Sequence, residues 1–342
     1  MNAGTSKRFG RKGNTTKTNK ALSTLLKLPL TLLFSLTGSG AIAQTKWLMA
    51  TEYPASNISG IGLTTFGQLV SSYTSGFVTT TNSLDNELHI SSERMLSAAE
   101  GRQIVGGDAF AGPLESSDIV FGLASLPFVV QSIDSAISIN AAARPFYEAA
   151  LAKRSLKLLY ITVWPSTGLW SDRPINTAGD LNGLAIRTYD HNSAEVMRAL
   201  GATAEYLPFN DAIARVRKHE LNAILTSGDG GAGRKLWDDL RYFTPINYAI
   251  PISLAFVRSD EFEALPPAVQ AQVLKAAADT EQSQLKLLYT RTELNYTQMR
   301  EHGVTINSSP SQGLMTALRS AAKGPVARWK AKVPPALAST ID

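Results

Sequence analysis

A chain of 342 residues, 44% hydrophobic and 18% charged, has the balance of a folded globular protein and the length for two lobes with separate cores. Its net charge of +5 does not describe a basic surface: Lys7, Arg8, Arg11, Lys12, Lys17, Lys20 and Lys27 are seven positives that come with no acid, and without them the balance is −2, so nucleic acid and anionic lipid are not indicated as partners. There is no cysteine, which excludes disulfides, thiolate nucleophiles and Cys-ligated zinc.

After the basic residues, an apolar run from Leu28 to Thr37 leads to Ala41-Ile42-Ala43, just before Gln44. This is the order of a cleavable signal peptide, residues 1–43, and it predicts export to the periplasm. A retained membrane anchor is the alternative, but the stretch is shorter than the roughly 20 apolar residues a span needs, and Gly38, Ser39 and Gly40 dilute it. The lack of a cysteine after the apolar run argues against a lipid anchor.

Lys46 to Ala50 predicts a first strand. Ser59 to Ser75 follows with Leu63, Phe66, Leu69, Val70 and Tyr73 on one helical face. Phe77 to Thr81 predicts a second strand, and Ser92 opens a helix that stops at Gly101. The glycine-containing stretch Gly106 to Ser117 reads as a loop. A helical region follows Leu126-Pro127-Phe128 as far as Lys153, then a long buried strand from Leu156 to Val163. Residues 176–187 begin a second strand–helix series. It includes a helix through Ser193–Gly201, a strand through Thr203–Phe209, a helix over Asp211–Glu220 and strands at Leu221–Leu225 and Tyr248–Val257. The alternation predicts an α/β fold with largely parallel sheets. Leu265 to His302 contains nothing that breaks a helix, and its roughly 36 residues would span about 54 Å, enough to cross both lobes. Two helices broken near Asp279-Thr280 are the alternative.

Chemistry-bearing motifs are few. None of the four histidines (His89, His191, His219, His302) has metal-ligand spacing, and His219 and His302 read as solvated on helix surfaces. No GxSxG elbow and no Walker A loop are present. Gly228 to Gly233 fits GxGxxG, but not in a first strand–helix unit, and Ile252, Ser253 and Leu254 stand where a ribose-binding acid would be needed. No cofactor and no metal are indicated. Arg187 is more informative. It ends a short apolar strand before a helix, where an α/β lobe faces its ligand crevice. A guanidinium there can match a carboxylate with two parallel hydrogen bonds; a structural arginine is the alternative.

Asp180-Leu181-Asn182-Gly183-Leu184-Ala185-Ile186-Arg187 is followed by Leu200-Gly201-Ala202 and Pro208-Phe209. In this ordered pattern the segment resembles the substrate-binding proteins of TRAP transporters, the DctP family. Leu126-Pro127-Phe128, Lys235 to Leu240 and the helix after Ala264-Leu265-Pro266 extend the resemblance over nearly all of the chain after residue 43. It implies a two-lobed periplasmic binding protein, a class II-like clamshell with a long helix spanning both lobes. Lobe 1 would take residues 44–163 and about 253–284, lobe 2 residues 164–252 and about 285–310, with a helical C-terminal segment at 311–342. The chain would cross between lobes near Val163-Trp164 and Pro251-Ile252.

The resemblance further implies capture of a small organic acid, without catalysis, and delivery to a small and a large integral membrane subunit. Arg187 would pair with the ligand carboxylate. Thr51 and Tyr53 fall where the first strand meets the ligand, Phe110 in the lobe 1 loop, Phe209 against the ligand and Asn247 near the second hinge strand. Phe110 and Pro113 replace polar groups, Thr167 stands where many members have a second arginine, Asn222-Ala223 where Asp-Gly is usual, and Ser227 where proline is common. Trp164 and Trp170 flank Thr167 and add ring area, or else pack the core and hinge. This favours an aromatic or otherwise apolar monocarboxylate over a sugar acid or dicarboxylate. Tyr189, Asp190 and His191 either reach the ligand or cap the next helix, with Asp190 a candidate acceptor for a ligand hydroxyl. Asp229 is given a solvent-facing position as its alternative. A periplasmic ligand sensor shares all these features. An exported hydrolase or lyase would need a partnered nucleophile or two differentiated carboxylates, and the sequence shows neither.

Overall fold

The strand predicted at Lys46 to Ala50 forms as β1 (Thr45–Ala50). A computed structural model describes residues 44–342; the signal peptide read above lies outside the described residues. Helix α1 (Ile58–Tyr73) buries Leu63, Phe66 and Val70 along the predicted face. Then come β2 (Val78–Ser83), α2 (Ser92–Glu100), β3 (Gly106–Phe110), the single turn α3 (Ala111–Leu114) and the long α4 (Ile133–Ala152). Ser132 and Ser135 close a reciprocal cap at the start of α4. Strand β4 (Leu156–Val163) and β5 (Thr167–Ser171) follow almost without a break. The second series is β6 (Ala185–Thr188), α5 (His191–Ala199), β7 (Thr203–Tyr206), α6 (Phe209–Arg217), β8 (Ala223–Ser227) and α7 (Gly228–Gly233). The chain ends with β9 (Tyr242–Thr244), β10 (Ile252–Arg258), α8 (Ser259–Glu263), α9 (Pro267–Glu301), β11 (Thr305–Ile306), α10 (Gln312–Lys332) and α11 (Pro335–Ala338).

These strands build two sheets, in the orders β2-β1-β3-β10-β4 and β11-β9-β5-β8-β6-β7. Both are mixed, which corrects the expectation of largely parallel sheets. The β1–β2, β1–β3, β6–β7 and β6–β8 pairs are parallel, as strand–helix units require. Strands β5 and β10 run antiparallel to their sheet neighbours because the chain enters each sheet through them from the other one.

The loop expected from Gly106 is instead a strand, β3, as far as Phe110. Its glycines are there because neighbouring strands leave no room for a side chain. A Cβ on Gly106 would lie 2.2 Å from the Phe256 carbonyl oxygen, and one on Gly107 2.5 Å from that of Ala50. Gly106→Ala should therefore push β3 and β10 apart and cost about 1–3 kcal/mol. Chemical denaturation would measure this, and an unchanged midpoint would contradict the packing described.

The two sheets are joined by adjacent crossings, from β4 to β5 and from β9 to β10. Trp164 N–H donates to the Pro251 carbonyl (2.8 Å), and Thr167 and Tyr248 continue the pairing (Thr167 N to Ala249 O, 2.9 Å; Tyr248 N to Thr167 O, 3.0 Å). The third connection is α9, a single unbroken helix of 35 residues with Pro267 at its first turn. It packs on α1 and β4 of the first sheet and on α7 and β11 of the second. Its buried side chains include Val273, Ala276, Ala277, Thr280, Gln284 and Leu288, at intervals of three and four. Helix α10 lies over α5, and its Trp329 donates its indole N–H to the Ile119 carbonyl (2.8 Å). No described helix is long and apolar enough to cross a membrane.

Candidate functional site

Strand ends from both sheets converge between the lobes. From the first sheet come Tyr53, just after β1, and Phe110, the last residue of β3. From the second come Arg187 in β6, Tyr189 after it, Phe209 opening α6, and Thr226 and Ser227 at the end of β8. Trp164, Thr167 and Pro251 sit at the crossings. These side chains line one cleft. Edges and faces of rings make most of its wall: Tyr53 lies 4.6 Å from Trp164 and 6.0 Å from Phe209, and Phe110 lies 5.4 Å from Tyr189, centroid to centroid. The Trp164 indole is fixed by a hydrogen bond to Ser253 Oγ (2.8 Å).

Arg187 is the one cation in this wall. It is only 4% exposed. Its Nε donates to the Leu207 carbonyl at 2.8 Å and one terminal nitrogen to that of Leu225 at 3.5 Å, which fixes the plane of the fork. The Phe209 ring lies 5.1 Å from its guanidinium carbon. Among the described residues no carboxylate comes within 4.0 Å of its nitrogens, whereas the half-buried Arg291 pairs closely with Asp229. Burial lowers its pKa, and nearby Tyr53 and Glu52 oppose that shift. A guanidinium stays charged even so. It is therefore a buried positive charge with no carboxylate beside it among the described residues.

The sequence profile of bacterial extracellular solute-binding protein family 7, DctP, matches residues 49–328. The chain belongs to this family. The fold of this solute-binding protein matches DctP6 of Bordetella pertussis, an extracytoplasmic solute receptor binding pyroglutamic acid, at 27% identity and a TM-score of 0.82, over 87% of this chain and 98% of that one. DctP7 of the same organism, also binding pyroglutamic acid, matches at 22% identity and 0.83, over 87% and 99%. A TRAP periplasmic solute-binding protein of Chromohalobacter salexigens with bound D-glucuronate matches at 18% and 0.79, over 86% and 98%. No curated protein matches the sequence. The protein is thus a TRAP-type extracellular solute-binding protein and not an enzyme.

Of the residues singled out in its sequence, the solute-binding protein brings Tyr53, Phe110, Trp164, Thr167, Arg187, Phe209 and Ser227 to the cleft. Four others are placed elsewhere. Thr51 is buried beneath the cleft wall, bonded to Ser59 Oγ (3.3 Å) and accepting from Tyr53 N–H (3.4 Å), so it shapes the turn that presents Tyr53. Trp170 is three residues beyond Thr167 on β5 and so projects from the opposite face; it packs on Phe243 and Gly231 and donates to the Ser227 carbonyl (3.2 Å). Asn247 is exposed and takes a left-handed turn conformation (φ 48°). Asp190 caps α5 by accepting from Ser193 N–H (2.7 Å) and Oγ (2.6 Å). Pro113 and Asp190 line a separate cavity of about 220 Å³ with Glu93 and Glu115. Burial, then the charge of Asp190, raises the Glu115 pKa to about 7.

One group near the cleft carries no signal in the sequence. Glu52 lies between Thr51 and Tyr53, the two residues singled out after β1. One of its oxygens accepts from Ser92 N–H (3.2 Å) and Oγ, while Oε2 is buried without a partner. Burial raises its pKa against the opposing Ser92 hydrogen bond and Arg187. The Tyr189 hydroxyl is likewise buried without a partner. Gly228 to Gly233 is the short helix α7, and its glycines serve packing: Cβ atoms on Gly231 and Gly233 would meet Trp170 at 2.2 Å and Asn57 at 2.4 Å.

Proposed function

We propose that this protein captures a ring-bearing monocarboxylate, with pyroglutamate the leading candidate, and delivers it to TRAP membrane subunits. The carrying observation is the buried Arg187, without an anionic partner among the described residues and set in an aromatic wall. One guanidinium matches one carboxylate, and its low-dielectric surroundings strengthen the pair. The rings suit a compact ring better than a hydroxyl-rich chain, which needs many polar partners. The pyroglutamate ligand of DctP6 and DctP7 supports this assignment. Delivery to membrane subunits follows from the family.

Isothermal titration calorimetry with pyroglutamate and D-glucuronate tests the proposal. Pyroglutamate should bind at least about tenfold more tightly, a difference of roughly 1.4 kcal/mol. Equal or tighter binding of glucuronate would overturn the preference for a ring-bearing monocarboxylate. Binding of neither acid would overturn the assignment of the ligand.

A further inference from the structure

We propose that Asp229 is a positioning residue that latches the two lobes closed over the ligand; this rests on reading the cleft as the capture site. Asp229 lies in α7, directly after the β8 residues that line the cleft, and its side chain is fully buried. A solvent-facing position is one reading of the sequence, and the structure shows the reverse. Its Oδ2 accepts from Ile58 N–H (2.9 Å) and Asn57 Nδ2 (3.2 Å), both at the start of α1 in the first lobe. Its Oδ1 accepts from Arg291 Nε (2.6 Å) and Asn295 Nδ2 (3.3 Å) on α9. One carboxylate thus gathers donors from both lobes and from the helix that joins them.

The local chemistry makes these bonds sensitive to closure. The first N–H groups of a helix need partners from outside it. Asn57, the N-cap of α1, makes no side-chain cap to its own helix. Asp229 supplies that cap from the other lobe, with the negative charge a helix N-terminus favours. The Asn57 amide also donates to the Asp229 backbone carbonyl (2.5 Å), and Arg291 reaches the Ser56 carbonyl. Rotating the lobes apart breaks the Asp229–α1 bonds and leaves an uncapped helix start on one side. Other links join the lobes: Tyr206 to Glu93 (2.8 Å) at an exposed position, and Arg234, which donates to the Glu52 carbonyl (2.8 Å) and pairs with the exposed Asp85, but Asp229 is the fully buried carboxylate among them. The buried one carries weight because its groups are desolvated only when all are together.

The absence of native cysteine permits clean double labelling. Spin labels at Glu87→Cys and Lys218→Cys, exposed positions after β2 and α6, report the distance between lobes. Distances are measured in wild-type and Asp229→Asn backgrounds, with and without pyroglutamate, alongside stopped-flow dissociation of that acid. The expected result is a closed fraction at least about threefold lower in the variant and dissociation at least about fivefold faster. Asn57→Ala keeps the Asp229–Arg291 pair and should shift both in the same direction by less. A variant that melts earlier but closes as fully as the wild type would overturn the latch, as would a wild type with no closed population in either condition. If pyroglutamate leaves the wild-type distances unchanged, the ligand assignment fails, while the effect of Asp229→Asn on the ligand-free distances still decides the latch.

Discussion

Arg187→Ala is expected to weaken binding of the captured monocarboxylate by at least about tenfold while leaving the fold intact. The charge-assisted pair it removes contributes on the order of 1.5–3 kcal/mol, and tenfold is the lower end of that range. Two bonds to backbone carbonyls and the Phe209 ring hold the guanidinium ready before any ligand arrives, so little ordering entropy is lost on binding. Arg187→Lys should recover only part of the loss, because an ammonium keeps the charge but not the planar fork. The fold should tolerate both changes, since Arg187 has no carboxylate partner among the described residues to be left unpaired. Calorimetry and a melting curve on the same samples would check this. Unchanged affinity would remove the central role given to Arg187.

Asp108→Asn is expected to flatten much of the dependence of stability on pH between about 5 and 7. Asp108 is fully buried at the centre of the first sheet, on β3. Its partners are hydroxyls: Ser59 Oγ donates to Oδ1, and Thr162 Oγ1 to Oδ2 at 3.5 Å. Burial raises its pKa from 3.8 to about 7, against the lowering effect of the hydroxyls of Ser59, Ser253 and Thr162. The folded protein therefore holds a proton that the unfolded chain releases. Between the unfolded and folded pKa values the native state binds more protons, so stability falls as pH rises. The contribution is fullest below about pH 4 and is lost as pH passes through about 7. A tenfold difference in proton affinity between the folded and unfolded states is worth about 1.4 kcal/mol, so the full effect is a few kcal/mol. Glu115, Glu52 and Asp190, all raised first by burial, push the same way. Wild type should melt at a higher temperature at pH 5.5 than at pH 7.5, and the variant should show a smaller difference. An equal difference in both would refute the assignment to Asp108.

The amphipathic helices were legible because their signal is local. The spacing of Leu63, Phe66 and Val70 and the proline start of α9 needed no knowledge of partners. Strand β3 was hidden because Gly106 and Gly107 resemble loop residues; only the nearness of the Phe256 and Ala50 carbonyls explains them. Direction within the sheets was hidden too, since β5 and β10 read as strands whichever way they pair. At the cleft, Thr167 and Trp170 looked like neighbours in one wall, and the strand's alternation sends them to opposite faces.

By itself the sequence determined the period of each helix, the strand-end position of Arg187, the cysteine-free chemistry and the family resemblance, all of which are written in short stretches of adjacent residues. The tertiary structure decided which side chains share the cleft, that Arg187 is buried there without a carboxylate partner among the described residues, and that Asp229 joins α1, α7 and α9. Burial and partnership depend on segments far apart in the chain, as Asp229 and Ile58 are, and only folding brings such groups within hydrogen-bonding distance and removes the water between them.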